Sequence, residues 1–424
     1  MAACALVAKP SPSKLIIALA ALLALLYLSS DFALLDIEDT AIVVAMGVDK
    51  HEDGVEVTAQ IGVPQATQQV SQNNDTVIST KGKTVMDAIA KMGANTGWHP
   101  KLSFCNLILV GRDLARDGLG SLIDNLILDE RVQNSAMIAL CDTTAKEVLR
   151  AVTPLDSISS FAIQKILLKN DRSTGTIADV NIKDFAVGLH GKGGFSYMPL
   201  IRTVKGTTDG DMEGGSGGTT AQSDVLSPCL FKKNNNDNRH IGRLSDNGKS
   251  GGKSGGDKKT VVFNATSTAI FSGGRMVGEL PSEKTVAFNL LRAEADRVIL
   301  PSGDDGLMLE VYKSKKRVRV EYGVKPTLVL DLKLWVRPAD GDQGVDEDGD
   351  SRRYRVDGEE LDGLEKNLKD AICDMTEEAL KAEIDIFGIR DMTYRNYHKM
   401  YEDYKTIPLK SFLLRVNVHA LSQE

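Results

Sequence analysis

Residues 41–63 read AIVVAMGVDKHEDGVEVTAQIGV. Positions 41–48 form an unbroken apolar run, whereas Val55, Val57, Ala59, Ile61 and Val63 alternate with polar neighbours at a period of two. Both are strand patterns, and the intervening DKHEDG supplies polar, turn-forming residues, so the stretch predicts a β-hairpin.

Toward the carboxyl end, helical spacing follows at 85–94 and at 114–128, where Ala115, Leu119, Leu122, Ile123 and Leu126 share a face. Short strands at 107–110 and 136–140 surround the second helix, and amphipathic segments continue at 145–152, 158–168 and 182–189. Interleaved strands and helices predict an α+β domain over residues 36–204. Toward the amino end, Lys9 and Lys14 precede residues 15–28, which carry no charged side chain, and Asp31, Asp36, Glu38 and Asp39 follow. This is the layout of an export leader, and its 14 apolar residues are fewer than the ~20 that cross a bilayer. No small-x-small cleavage site is visible, because Leu28 lies two residues before Ser30 and Tyr27 two before Ser29. Residues 1–35 are therefore read as a signal or a membrane anchor, with the basic flank leaving everything after it on the extracytoplasmic side.

Between residues 206 and 256 lie 12 of the 38 glycines, with NNND, GGSGG and KSGGKSGG. Such composition cannot bury enough apolar surface to offset its ordering entropy, so 205–259 is read as a flexible insertion. VLSPCLF at 225–231 is a segment within it that folds back or docks on a partner. Alternation returns at 260–271, 307–312, 318–321 and most clearly at Leu328, Leu330, Leu332, Leu334 and Val336. Residues 260–301 are read as a strand-rich segment completing the central domain, and 302–424 as a C-terminal α+β domain. Its long helix carries Leu361, Leu364, Leu368, Ile372, Met375 and Ala379 on one stripe and is expected to end near Phe387 and Gly388, where a glycine suits a left-handed cap. A last strand places Phe412, Leu414, Val416, Val418 and Ala420 on one face. The expected fold class is α+β, multidomain, with three domains of mixed sheets and packed helices.

Composition narrows function more than motifs do. At 42% hydrophobic and 26% charged the chain is neither collagen-like, nor wholly disordered, nor a polytopic membrane protein. Its 51 Lys and Arg against 58 Asp and Glu give a net charge of −7, which lacks the positive field of a nucleic-acid binder. The five cysteines (Cys4, Cys105, Cys141, Cys229 and Cys373) contain no CxxC pair and are odd in number, which argues against a disulfide framework or structural zinc. GKSGGKS at 248–254 has three residues between Gly248 and Gly252 where a phosphate loop has four, and GGSGG at 214–218 lacks the strand-to-helix turn of a nucleophile elbow. His51, His99, His190, His240, His398 and His419 are isolated in sequence, and are read as surface or loop residues. The acidic DGDQGVDEDGD at 340–350 places Ser351 where a calcium loop starting at Asp340 needs a bidentate glutamate, so it is read as a solvated loop. KSKKRVRV at 313–320 fits an edge strand whose charges discourage aggregation better than a headgroup-binding patch. No catalytic, cofactor-binding or metal-ligating residue is assigned.

Four stretches in order resemble the Ger(x)C family, the C subunits of spore germinant receptors. AIVVAMGVDK (41–50) is similar to that family's opening hairpin, and GRDLARDGLGSLIDNLILDERVQNSAMIAL (111–140) with TAKEVL (144–149) to its helix, acidic-basic pair, strand and following helix. STAIFSGGRMVGELPSEKTVAFNLLR (267–292) resembles its central block, and the long helix running into EIDIFGI (383–389) resembles its C-terminal domain. The resemblance implies a three-domain mixed α/β protein working beside two integral membrane subunits, of the A and B type, at the spore inner membrane. Two departures stand out: Asp31 and Phe32 occupy the positions of the family's lipobox cysteine and following tryptophan, and the glycine-rich insertion interrupts the likeness. With Cys4 placed before the apolar run, the uncleaved segment 15–28 would replace the lipid as tether. The expectation is a non-enzymatic, extracytoplasmic receptor subunit without cofactors, the alternative an extracytoplasmic solute-binding protein that captures a small nutrient in an interdomain cleft.

Overall fold

The computed structural model describes residues 12–28, 40–62, 77–153, 156, 158–173, 175–205, 261–292, 297–302, 307–323, 325–339 and 356–422. Cys4, Asp31, Phe32, Cys229, His240, the glycine-rich tract and the acidic 340–350 stretch lie outside them. The first element is an apolar helix, α1 (Pro12–Leu28). Its 17 residues rise about 25 Å, and among the described residues no helix is long and apolar enough to cross a membrane.

The first sheet has nine strands. It contains β1 (Thr40–His51), β2 (Gly54–Ile61), β3 (Val77–Gly82), β4 (His99–Lys101), β5 (Leu107–Val110), β6 (Met137–Cys141), β7 (Phe195–Lys205), β8 (Val261–Ser272) and β9 (Arg275–Leu280). The order is β3-β2-β1-β5-β6-β7-β8-β9, with β4 beside the start of β1. β1, β5, β6 and β7 run parallel, and antiparallel pairs flank them on both sides. The expected 41–63 hairpin is β1–β2, with His51 opposite Gly54.

Both faces of this sheet are covered, which explains the unbroken apolar runs of its central strands. On one face Met46, Val48, Ile108, Val110, Ile138 and Leu140 meet α2 (Val85–Thr96), α3 (Arg112–Asp117), α4 (Gly120–Leu128) and α7 (Ile182–His190). The alternate residues Ala45, Leu107, Leu109, Ala139 and Cys141 meet α5 (Ala145–Arg150) and α6 (Ser159–Ser173) on the other. β2 follows the same rule, but its second face buries Gln60, whose amide donates to the Leu149 carbonyl (3.1 Å) and accepts from Ser160 N (3.1 Å). The single helix expected over 114–128 is two, because the chain turns at Gly118 (φ 130°) and Leu119 N bonds instead to Gly274 O across the sheet edge (2.8 Å).

The second sheet has four strands in the order β10-β11-β12-β13: β10 (Val298–Pro301), β11 (Met308–Glu321), β12 (Thr327–Pro338) and β13 (Leu413–Ser422). β10, which the sequence pattern groups with the middle segment, is an edge strand here, paired with Met308–Val311. Among the described residues the only strand that pairs with β11 beyond that stretch is β12, so KSKKRVRV lies on an open sheet edge. β12 and β13 are parallel. Leu328, Leu330, Leu332, Leu334, Val416, Val418 and Ala420 pack against α8 (Ser282–Arg292) and the long α9 (Gly358–Lys381). Burying Leu364, Leu368 and Ile372 of α9 at about 1.5–3 kcal/mol each outweighs the ~1 kcal/mol of a single cap, so the stripe rather than the helix ends dictates where α9 lies.

The long helix stops at Lys381, before the expected Phe387–Gly388. Ile384 N reaches back to Ala379 O (2.9 Å) and Glu383 N to Leu380 O (3.2 Å), a Schellman end in which Glu383 (φ 61°) takes the left-handed position usual for glycine. Gly388 (φ 67°) is left-handed too, but it opens the next helix, α10 (Ile389–Asn396).

Candidate functional site

Two places gather charge. The first lies at the carboxyl ends of β1 and β5, the customary ligand end of parallel strands, and forms a hollow of about 340 Å³ lined by residues that include Asp49, Lys50, Gly111, Arg112, Asp142 and Thr143. Asp49 is buried and points its carboxylate at the start of α5, accepting from Ala145 N (2.7 Å) and Lys146 N (2.9 Å). Thr144 completes the cap by accepting from Glu147 N (3.2 Å). Burial pushes the Asp49 carboxyl above the usual range, and the two N–H donors oppose that rise. Gly47 lets α5 approach, since a Cβ there would sit 2.8 Å from Ala145 Cβ, and a Cβ at Gly111 would collide with Asp49 Oδ1. Arg112 is held between Asp142 and Glu279 (2.9 Å to the latter), and Arg202 also pairs with Glu279. Asp49, Arg112 and Asp142 of this hollow are thus engaged in a cap and ion pairs that bind α5 and α3 to the sheet.

The second place is the seam between the two sheets. Phe195, Ile270, Leu280 and Phe288 meet Met375, Ala379, Ile384 and Ile386 in one apolar cluster. Beside it opens a cleft of about 700 Å³ whose walls include His190, Lys192, Arg292, Asp385, Asp391 and Tyr394. Asp385, 2% exposed, caps α10 by accepting from Ile389 N (2.6 Å) and Arg390 N (2.9 Å). Burial raises its carboxyl above the ordinary carboxylate range despite both donors. The glycines of 191–194 bring the opposite wall in: a Cβ at Gly193 would lie 2.5 Å from Asp385 Oδ2 and one at Gly191 2.8 Å from Asp391 Oδ2. Lys192 N donates to Asp391 Oδ1 (3.1 Å), while its ammonium sits 4.9 Å from the Tyr394 ring. Arg292 stacks over Phe195, Tyr197 and Phe288 at 4.8–5.6 Å and donates to Ile386 O (3.0 Å). The wall continues in edge-to-face rings, Tyr394 on His398 and Tyr401.

Sequence reasoning assigned no site residue, and among the described residues no three His, Cys, Asp or Glu side chains gather as metal ligands. It passed over Asp49 and Asp385, and Asp385 stands four residues ahead of α10 in IDIFGIRD, outside the position immediately before a helix where sequence patterns place a cap. His190 is exposed at the end of α7 and pairs with Asp124 (2.7 Å). The phosphate-loop-like GKSGGKS and the GGSGG lie outside the described residues.

Fold and seam define a multidomain α+β protein whose two mixed sheets meet in a cleft of aromatic and charged side chains. Residues 35–203 match the model of the spore germination protein N-terminal domain, and residues 266–420 match the spore germination B3/GerAC like, C-terminal model. The chain belongs to the GerAC-like family, the germinant receptor C subunits of spore germination. Spore germination protein KC of Bacillus subtilis (strain 168) is 25% identical over 181 residues, 40% of this chain and 44% of its own length. YfkR of the same bacterium is 26% identical over 206 residues, 47% and 50% respectively, so the chain spans about half the length of the curated relatives it matches. The crystal structure of the GerBC protein superposes with a TM-score of 0.46 at 13% identity, covering 92% of this chain and 100% of that one. The four resembling stretches map onto β1, α3 to α5, β8 to α8, and the α9–α10 turn, so they supply both aspartate caps and much of the seam.

Proposed function

We propose that this chain acts as a non-catalytic, membrane-tethered subunit on the extracytoplasmic face, docking on integral A- and B-type subunits of a nutrient germinant receptor at the spore inner membrane. The observation that carries this reading is α1: its described side chains are all exposed, with Ile16, Ile17, Leu19, Leu22, Leu23 and Leu25 among them. An apolar helix with that surface is stable against lipid or an apolar partner rather than water. The engagement of Asp49, Arg112, Asp385 and Arg292 in caps, ion pairs and ring stacking supports a structural use of these groups over acid–base work. The test is purification from detergent-extracted spore membranes: full-length chain is expected to bring down both multispan subunits, and deletion of residues 15–28 to release it and depress nutrient-triggered germination. Release of intact full-length protein by high salt alone would refute the hydrophobic tether.

A second reading rests on the seam cleft, whose volume of about 700 Å³ falls within the roughly 300–1,000 Å³ of small-molecule sites. Capture of a small nutrient there predicts saturable calorimetric binding of an amino acid or sugar by the isolated chain, lost in Lys192→Glu.

A further inference from the structure

Exposed aromatic side chains gather where the first sheet receives the chain from α1. β1 begins at Thr40 and pairs at once with β4, Thr40 opposite His99 and Ile42 opposite Lys101. Trp98, just before β4, is 48% exposed, and Phe104, in the short turn after it, is 50% exposed. Ile42, the register partner of Lys101, is also exposed, and the Lys101 ammonium lies 5.8 Å from the Phe104 ring. The segment is anchored from behind: Gln133 donates to Ser103 O (2.6 Å), Leu102 and Cys105 are buried, and Trp98 N donates to Thr96 Oγ1 (3.3 Å). These rings are thus held outward by a fixed backbone.

Topology decides which end of the molecule this is. Because β1, β5, β6 and β7 are parallel, the start of β1 and the turn before β5 share one end of the sheet. Lys205 and Val261, register partners between which the glycine-rich tract runs, stand at the opposite end. From Leu28 to Thr40 are 12 chain steps, a reach of at most about 40 Å. β1 itself covers nearly that length, so with the helix held in lipid the far end could meet the surface only if almost all of that reach were used, whereas the Trp98 end can meet it at any shorter span.

We propose that Trp98, Phe104 and Ile42, with Lys101, form the bilayer contact of the tethered protein, the rings entering the headgroup boundary and the ammonium meeting anionic lipid. Tryptophan and other amphipathic rings favour that depth, and lysine extends its charge into the headgroup layer from an apolar stem. The proposal rests on the reading of α1 as a tether, and the experiment separates the two.

The chain has two tryptophans, so Trp335→Phe leaves Trp98 as the sole indole and Trp98→Phe leaves Trp335. Full-length protein of each kind is mixed with phosphatidylcholine–phosphatidylglycerol vesicles, floated on a density gradient, and its fluorescence read with acyl-chain-brominated lipid. Floated Trp335→Phe protein should show blue-shifted emission quenched by at least a third, with quenching roughly halved by Lys101→Glu, while Trp98→Phe protein should be unquenched. Flotation with Trp98 unquenched overturns the patch and leaves the tether standing. Failure to float overturns both. Shielding of Trp98 only after membrane subunits are added would make the patch a protein contact and overturn the lipid assignment.

Discussion

Removing the Asp385 carboxylate should destabilise the C-terminal sheet and the seam together. Asp385→Ala leaves Ile389 N–H and Arg390 N–H at the start of α10 without their acceptor, the first of them fully buried. Loss of a helix cap costs ~1 kcal/mol and stranding a buried donor about 1–3 kcal/mol, overlapping contributions that together give about 2 kcal/mol. With a slope near 1–1.5 kcal/mol per molar urea for a unit of this size, the midpoint should fall by roughly 1.5 M. Trp335 on β12 reports the transition by fluorescence. Asp385→Asn retains one acceptor oxygen and should lose about half as much. The pH dependence has a definite sign. Burial raises the folded carboxyl, so the folded state keeps its proton to higher pH than the unfolded chain, whose carboxyl titrates near about 3.9. Stability from this group is present below that value and is lost as pH rises through the folded one. The alanine variant's deficit should therefore be larger at pH 3.5 than at pH 7. A midpoint shift below about 0.2 M, worth no more than about 0.3 kcal/mol at that slope, would refute the capping role, and a deficit that grows with pH would refute the sign of the shift.

Gly111→Ala should cost about 1–3 kcal/mol by overpacking against Asp49, read as a lower urea midpoint, whereas the same change at Gly120, where among the described residues an added Cβ meets no long-range neighbour within 4 Å, should not lower it. Cys105, whose thiol burial pushes up to about 12, and the equally buried Cys141 should resist a thiol reagent at pH 8 and label only in urea, as read by peptide mass mapping; labelling of either in the native protein would contradict the packing of β5 and β6. Replacing the 55 residues between Lys205 and Val261 by a four-residue turn should stabilise the chain by about 2 kcal/mol through the shorter loop closure, checked by calorimetric melting temperature; a loss of stability would show that the tract packs on the fold.

Much of the fold is legible because it is local. The β1–β2 hairpin, the 107–110 and 136–140 strands and the α9 stripe each announce themselves by period within a dozen residues. What the pattern hides is long-range. The break at Gly118–Leu119 comes from a bond to Gly274, a partner far along the chain, and the coverage of Gln60 from Leu149 and Ser160. Glu383 holds a left-handed backbone while its carboxylate accepts Leu409 N (2.7 Å), a long-range bond that no count of helix formers registers. The parallel pairing of β12 with β13 is invisible for the same reason, since α9 and α10 lie between them.

The seam follows a related logic. Residues 190–195 look like an ordinary helix-to-strand turn, and 383–391 like the end of a helix; each is polar enough to pass as surface when read alone. They become one site only because Gly191 and Gly193 remove the side chains that would hold Asp391 and Asp385 away, letting Lys192 reach across to Asp391 and Tyr394. Arg292 then closes the joint from a third direction, its cation over three rings and its donor on the Ile386 carbonyl of the same turn. The apolar cluster that the two sheets share, with Arg292 stacked beside it, is smaller than the core either sheet has by itself. Strain that changes the angle between the sheets therefore works against fewer apolar contacts than strain that deforms either sheet.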